Sequence, residues 1–253
     1  MKVMKRLSFD LNGRRALVTG ATSGLGERFA HVLVAHGAEV IVTGRREDRL
    51  RNLVETITRG GGVAIAQRLD VTEASSLHAC VSASGPVDVL VNNAGLNVQA
   101  RADDLSEADY DLIMNTNVKG AFLMAQAIGR TMIARGQGGR IINVASIGAF
   151  KALPGLTAYS MSKAAVAMMT QGLAREWARH DINVNALCPG FILTELNQAW
   201  FQTEGGRKQV QGFPRRRLGT PEDLDGLLLF LASSHSRFVT GSLFTADDGQ
   251  LLA

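Results

Sequence analysis

The chain holds only two cysteines in 253 residues, Cys80 and Cys188, far apart and without Cys-x-x-Cys spacing. No disulfide framework or cysteine metal knuckle is expected from them, and buried free thiols in a reducing cytoplasm are. Five histidines form no ligand pattern either: His31 and His36 are five residues apart and would point about 140° from each other on a helix. No metal site is expected. Long apolar runs are also missing, since stretches such as Leu227 to Ala232 fall far short of the roughly 18 residues that cross a bilayer. Met1 to Asp10 carries charge but no apolar core for a secretion signal. A soluble, cytoplasmic chain with no membrane partner follows as the expectation. Charge of one sign is scarce too: 27 basic against 23 acidic residues leave +4, and the basic residues are largely scattered, with runs at Arg45-Arg46 and Arg215-Arg216-Arg217. That balance is too mild for nucleic acid as the main partner.

What is present is apolar matter in short, regular blocks. With 46% hydrophobic residues the chain can bury a large core, and one domain over 1–253 is expected. Arg15 to Thr19 is an apolar run ending in glycines, and Glu27 to His36 repeats apolar residues at helical spacing. A β-branched run, Glu39 to Thr43, follows between Gly37 and Gly44. Further candidate strands lie at Val63 to Leu69, Val87 to Asn92, Gly139 to Val144, Asn183 to Leu187 and Ser242 to Ala246, with helical stretches between most of them. This alternation predicts an α/β fold: a doubly wound parallel sheet of seven strands with helices on both faces. The polar, weakly periodic Ala199 to Arg217 reads as a loop, inserted before a helix opened by Pro221-Glu222-Asp223. Loops of that kind often cover an active site.

Thr19-Gly20-Ala21-Thr22-Ser23-Gly24-Leu25-Gly26 joins the first strand to the first helix. Glycines there let the backbone approach a pyrophosphate, and the helix N-terminus offers free N–H groups and partial positive charge. A plain connecting turn is the other reading, whereas a nucleotide P-loop is excluded because no Gly-Lys-Ser/Thr follows. At the end of the second strand a carboxylate would bind the adenosine ribose of NAD and repel the 2′-phosphate of NADP. The chain has Arg45 and Arg46 instead, which can pair with a phosphate, and NADP(H) is therefore the preferred cofactor, with NAD(H) still open. Arg45 is the leading residue of the two, and a solvated surface pair is the alternative.

Tyr159 and Lys163 stand four residues apart, on one face if helical. A tyrosine of ordinary pKa near 10 is a poor base at neutral pH, but a neighbouring cation favours the phenolate. Tyr159 could then exchange a proton with a substrate oxygen while hydride moves at the adjacent carbon. The same spacing also occurs by chance on partly exposed helices.

Six motifs in order give that pair a context: the Thr19 to Gly26 turn, Asp70-Val71, Asn92-Asn93-Ala94-Gly95, Asn115-Thr116-Asn117-Val118, Ser146 with Tyr159 and Lys163, and Pro189 to Thr194. From about Asp10 to about Gln250 the chain resembles the short-chain dehydrogenase/reductase family. The resemblance implies a Rossmann-type fold and an oxidoreductase that interconverts a carbonyl and a secondary alcohol with a nicotinamide dinucleotide. It further implies that Tyr159 is the general acid or base, that Lys163 lowers its pKa and binds the nicotinamide ribose, and that Ser146 orients the substrate oxygen. Asn117 would hold a water linking Lys163 to solvent. For the cofactor it implies Gly20, Thr22, Ser23, Gly24, Leu25 and Gly26 at the phosphates, with Arg45 and Arg46 at the 2′-phosphate. Asp70 and Val71 would lie at the adenine, Asn92, Ala94 and Gly95 along the floor, and Pro189, Gly190, Ile192 and Thr194 at the carboxamide.

Two departures stand out. Many NADP-dependent relatives carry a basic residue where this chain has Ser23, and the frequent Asp-Gly-Gly near the C-terminus is here Asp248-Gly249-Gln250, read as a change at a subunit contact. The resemblance implies a homotetramer, for which the small residues Ala164, Ala165, Ala167 and Gly172 would allow close helix packing. Substrate choice would rest on a lid at 193–217, where Leu196, Trp200, Phe201 and Phe213 could line an apolar pocket and Arg215 to Arg217 could attract an acidic substrate. Sugar acids, 3-oxoacyl thioesters and small ketones all remain candidates. A non-enzymatic dinucleotide-binding redox sensor is the competing class, though it would not need Ser146, Tyr159 and Lys163.

Overall fold

Seven parallel strands form one sheet in the order β3-β2-β1-β4-β5-β6-β7 in the computed structural model, which describes residues 8–252. Most of the charged N-terminal stretch, residues 1–7, lies outside the described residues. The strands are β1 (Arg15–Val18), β2 (Glu39–Gly44), β3 (Ala64–Arg68), β4 (Val89–Asn92), β5 (Gly139–Val144), β6 (Ile182–Pro189) and β7 (Leu243–Ala246). Every one begins inside or next to a predicted run. β1, β4 and β6 are buried along almost their whole length; β1 and β4 accordingly read as short continuous apolar runs, whereas β6 buries Asn183 and Asn185 among its apolar residues.

Helices cover both faces. One layer joins α1 (Gly24–Ala35), α2 (Glu47–Arg59) and α9 (Asp225–Ala232) to the sheet through a core containing Phe29, Leu33, Val42 and Leu228. The other joins α3 (Ala74–Ser84), α5 (Ala121–Arg135) and α6 (Thr157–Trp177) through Leu17, Leu90, Met124, Ile128 and Ile141. The chain order reverses at β1, which pairs with β2 on one side and β4 on the other. A crevice opens at the carboxyl ends of strands at such a switch point, and that is where open α/β sheets bind ligands.

Two local features differ from the sequence expectation. Tyr110 to Arg135 is not one regular helix: α4 (Glu107–Met114) and α5 are joined by a π-helical turn, Asn115–Gly120. The expected loop at 199–217 contains two short helices, α7 (Gln198–Phe201) and α8 (Glu204–Gln211), the second begun by Thr203, whose hydroxyl accepts from the Gly206 N–H. Among the described residues no helix is long and apolar enough to cross a membrane.

Candidate active site

The crevice at the switch point is a cleft of about 950 Å³. One end is the turn after β1. Gly20 and Gly24 have φ of +67° and +58°, a region that favours glycine. Their side-chain-free faces lie close to other parts of the wall: a Cβ on Gly20 would stand 2.8 Å from Ala94 Cα, and one on Gly24 3.4 Å from the Thr194 side chain. Gly26 is buried behind the turn, where a Cβ would collide with the Gly20 carbonyl. The turn is stitched to the end of β4. The Thr19 hydroxyl accepts from the N–H groups of Asn93 and Ala94, both at 3.0 Å, and Asn93 Nδ2 donates to the carbonyls of Thr19 and Gly20.

Ser23 heads α1 but its hydroxyl does not cap the helix. It accepts instead from Arg46 Nη2 at 2.7 Å, and the same guanidinium donates to Thr22 Oγ1 at 2.7 and 3.1 Å. A cation therefore reaches position 23 from the end of β2, although residue 23 is itself neutral. Arg45 reaches towards Asp70, 3.8 Å away. Burial would raise the Asp70 carboxyl, but hydrogen bonds from Thr72 and the charge of Arg45 hold it below the usual carboxylate range. An uncapped helix N-terminus, a tight glycine turn and two arginines suit a phosphate-bearing dinucleotide.

The other end of the cleft brings together Ser146, Tyr159 and Lys163. Ser146, just past β5, accepts from the Gly148 N–H at 3.0 Å and lines the cleft with Tyr159. Lys163 is buried one helical turn beyond the tyrosine, donates to the Val144 carbonyl at 2.8 Å and sits 5.6 Å from the Tyr159 ring centroid. Burial pushes the Tyr159 phenol up, against the opposite pull of Ser146. It also pushes Lys163 down to about 8, Cys188 opposing weakly from across the sheet end. In the protein alone, both groups are thus driven towards neutrality, and the sequence expectation of an acidified phenol does not appear. The ammonium lies beneath the ring and bonds with a backbone carbonyl, so desolvation dominates over its attraction for a phenolate.

Asn117 lies in the π turn and is buried behind the cleft wall. Its Oδ1 accepts from Leu96 N–H, and its Nδ2 donates to the Leu96 carbonyl at 2.9 Å and to Ser162 Oγ at 3.0 Å. The side chain is committed to tying the segment after β4 to α6. A water could be held there by the second lone pair of Oδ1 or by backbone groups. Within a π turn the shift to i→i+5 bonding releases such groups, and these turns recur at functional sites.

Of the residues picked from sequence, Gly20, Thr22, Ser23, Gly24, Leu25, Arg45, Arg46, Asp70, Val71, Ala94, Gly95, Ser146, Tyr159, Lys163, Pro189, Gly190, Ile192 and Thr194 line the cleft. Gly26, Asn92 and Asn117 do not. Asn92 Nδ2 points into the sheet layer, donating to Asn143 Oδ1 and the Ala121 carbonyl, and its neighbour Asn93 takes the cleft position. Leu196, Trp200 and Phe201 line the cleft as expected, whereas Phe213 stacks on Phe191 with centroids 5.3 Å apart. Arg215 and Arg217 pair with Asp248, at 3.2 and 2.7 Å, and Arg216 is also outside the lining, so the arginine run does not face the cleft.

Sequence reasoning missed the amides Asn97, Gln99 and Gln209 in the substrate half, and also Gln250. The last is buried, and its Oε1 accepts from the Phe191 N–H at 2.7 Å. The departure from Asp-Gly-Gly therefore acts on the cleft wall beside Gly190, a part of the site that the subunit-contact reading did not touch.

Residues 14–205 match the family model described as short chain dehydrogenase. The chain belongs to the short-chain dehydrogenase family. It is 37% identical to gluconate 5-dehydrogenase of Gluconobacter oxydans over 246 residues, 95% of this chain and 96% of that one. To the NAD-dependent glycerol dehydrogenase of Listeria innocua it is 38% identical over 245 residues, 95% of each chain. The crystal structure of a gluconate 5-dehydrogenase from Burkholderia cenocepacia, in complex with NADP and tartrate, superposes with a TM-score of 0.93 at 36% identity and covers 97% of this chain and 98% of its own. This short-chain dehydrogenase is accordingly an oxidoreductase that acts on CH–OH or C=O groups with a nicotinamide dinucleotide.

Proposed function

We propose that the chain is an NADP(H)-dependent dehydrogenase that interconverts a secondary alcohol and a ketone on a polyhydroxylated sugar acid, with Tyr159, Ser146, Lys163 and Asn117 as its working set. The observation that carries this reading is the convergence of Ser146, Tyr159 and Lys163 in the same cleft as the glycine turn, with Lys163 buried 5.6 Å from the centroid of the Tyr159 ring. When bound, the dinucleotide supplies or accepts the hydride. Tyr159 gives its proton to the carbonyl oxygen in reduction and takes one from the hydroxyl in oxidation. Ser146, its hydroxyl oriented by the Gly148 N–H, donates to the same substrate oxygen. Lys163 lies where it can reach a nicotinamide ribose and return a proton to Tyr159. Asn117 keeps the Leu96 backbone fixed, and a water on the π turn would connect Lys163 to solvent.

NADP is favoured over NAD because Arg46 presents its charge with the Thr22 and Ser23 hydroxyls, next to Arg45. The sugar-acid class is supported by the gluconate 5-dehydrogenases among the relatives and by the amide side chains of Asn97, Gln99 and Gln209, which suit several hydroxyls. Segment 193–217 serves as the lid, and a homotetramer in the cytoplasm is the proposed assembly. The test follows NADPH and NADH absorbance with keto-sugar acids, acyl thioesters and simple ketones. Faster NADPH consumption with the keto-sugar acids is expected; turnover confined to acyl thioesters, or to NADH, overturns the corresponding half of the proposal.

A further inference from the structure

The segment after β6 is held at its base, where Phe213 also stacks on Phe191 and Arg215 and Arg217 pair with Asp248, and its first residues are hooked across to α2. Its ends meet where Leu193 N–H donates to the Gly219 carbonyl at 2.9 Å and Gly219 N–H to the Phe191 carbonyl at 3.0 Å. Two residues on, Glu195 crosses the mouth of the cleft to α2. Its two carboxylate oxygens accept from Arg49 Nη1 and Nη2 at 2.8 and 2.9 Å, a fork-to-fork pair. Glu195 Oε2 also stands 3.6 Å from Arg46 Nη1, whose neighbouring Nη2 donates to the Ser23 hydroxyl. Arg49 holds the Glu195 carboxyl down at about 2, with help from Arg46, so it is an anion at any working pH. Glu27 and Asp48 act on Arg49 as well, but it is Glu195 that bonds with it.

Arg46, which holds the Thr22 and Ser23 hydroxyls, is assigned above to the cofactor's 2′-phosphate, and a carboxylate from the lid segment already stands against it. We propose that Glu195 is an internal anion that competes with the 2′-phosphate of NADP for Arg46, so that entry of the phosphate unhooks the lid segment from α2. The inference rests on the NADP reading. A phosphate has three strong acceptor oxygens and close to two negative charges, so it displaces a single carboxylate from this cradle. NAD has no group there and leaves the hook closed. Cofactor identity is in this way linked to the freedom of the segment over the substrate, and the linkage acts in both directions.

Adenosine 2′,5′-bisphosphate and 5′-AMP test this with the adenosine end alone, in the full-length wild type and in Glu195→Gln and Glu195→Ala. The bisphosphate is expected to bind both variants about three- to fivefold more tightly than the wild type, the range an exposed ion pair supports, with AMP affinity unchanged. Amide hydrogen exchange in residues 193–211 is expected to accelerate when the bisphosphate binds the wild type, and to be fast already in the variants. Tighter bisphosphate than AMP binding that is the same in wild type and variants overturns the competition while leaving the NADP reading standing. Bisphosphate binding no better than AMP in every form overturns both.

Discussion

The Lys163 ammonium lies under the Tyr159 ring, 5.6 Å from its centroid, and spends its shortest hydrogen bond on the Val144 carbonyl at 2.8 Å. A buried cation satisfied by one backbone carbonyl is costly in the charged form. Its pKa falls to about 8, some way below the 10.5 of a free lysine, and this has a measurable consequence.

Between pH 8 and 10.5 the unfolded chain keeps a proton on Lys163 that the folded chain has released. Stability contributed by this group therefore rises with pH across that window, by up to about 1.4 kcal/mol per pH unit. Cys188, pushed up to about 11 by burial, works the other way above pH 9. The readout is thus the stability difference between wild type and Lys163→Met, measured by urea unfolding at steps from pH 7 to 10.5. That difference is expected to move in favour of the wild type as pH rises; a flat difference would show that the lysine is not desolvated.

Gly26→Ala places a methyl against the Gly20 carbonyl and 2.5 Å from Asn93 Nδ2. Forcing it in should cost about 1–3 kcal/mol and distort the turn that receives the pyrophosphate. Thermal unfolding and fluorescence titration with NADPH are expected to show a lower Tm together with at least tenfold weaker binding. Ala substitution at the exposed Gly226 of α9, beside which no neighbouring atom lies within 4 Å, should leave NADPH affinity within error and raise Tm slightly, alanine gaining no more than ~1 kcal/mol over glycine in a helix.

Gln250→Leu removes the acceptor of the Phe191 N–H in a buried setting, at a cost of about 1–3 kcal/mol. The wall from Pro189 to Thr194 would then lose its anchor. Steady-state kinetics should show the effect mainly as a higher KM for the dinucleotide, with Gln250→Glu recovering part of the loss because one oxygen acceptor returns.

Much of this molecule was legible in its sequence because parallel strands buried on both faces read as short apolar runs, β1, β2 and β4 most clearly. Spacing also located the glycine turn and the Tyr159–Lys163 face. What was not legible depended on which way one side chain turns at a strand end: Asn92 closes β4 and points into the sheet, and Asn93 receives the turn. The π turn is hidden for a related reason, since Asn115 to Gly120 keeps helical periodicity and differs only in where its amide protons bond. Long-range partners such as Arg46 with Ser23, or Glu195 with Arg49, are 23 and 146 residues apart and leave no local pattern.

The central claim is that the Tyr159 hydroxyl passes the proton to and from the substrate. The direct measurement is single-turnover reduction of a keto-sugar acid by Tyr159→Phe with NADPH already bound, beside a titration of NADPH affinity. Loss of the phenol should slow hydride transfer by about 10²–10⁴-fold, the usual contribution of a general acid, while NADPH affinity stays within about threefold of the wild type. Turnover at the wild-type rate in that variant would contradict the account.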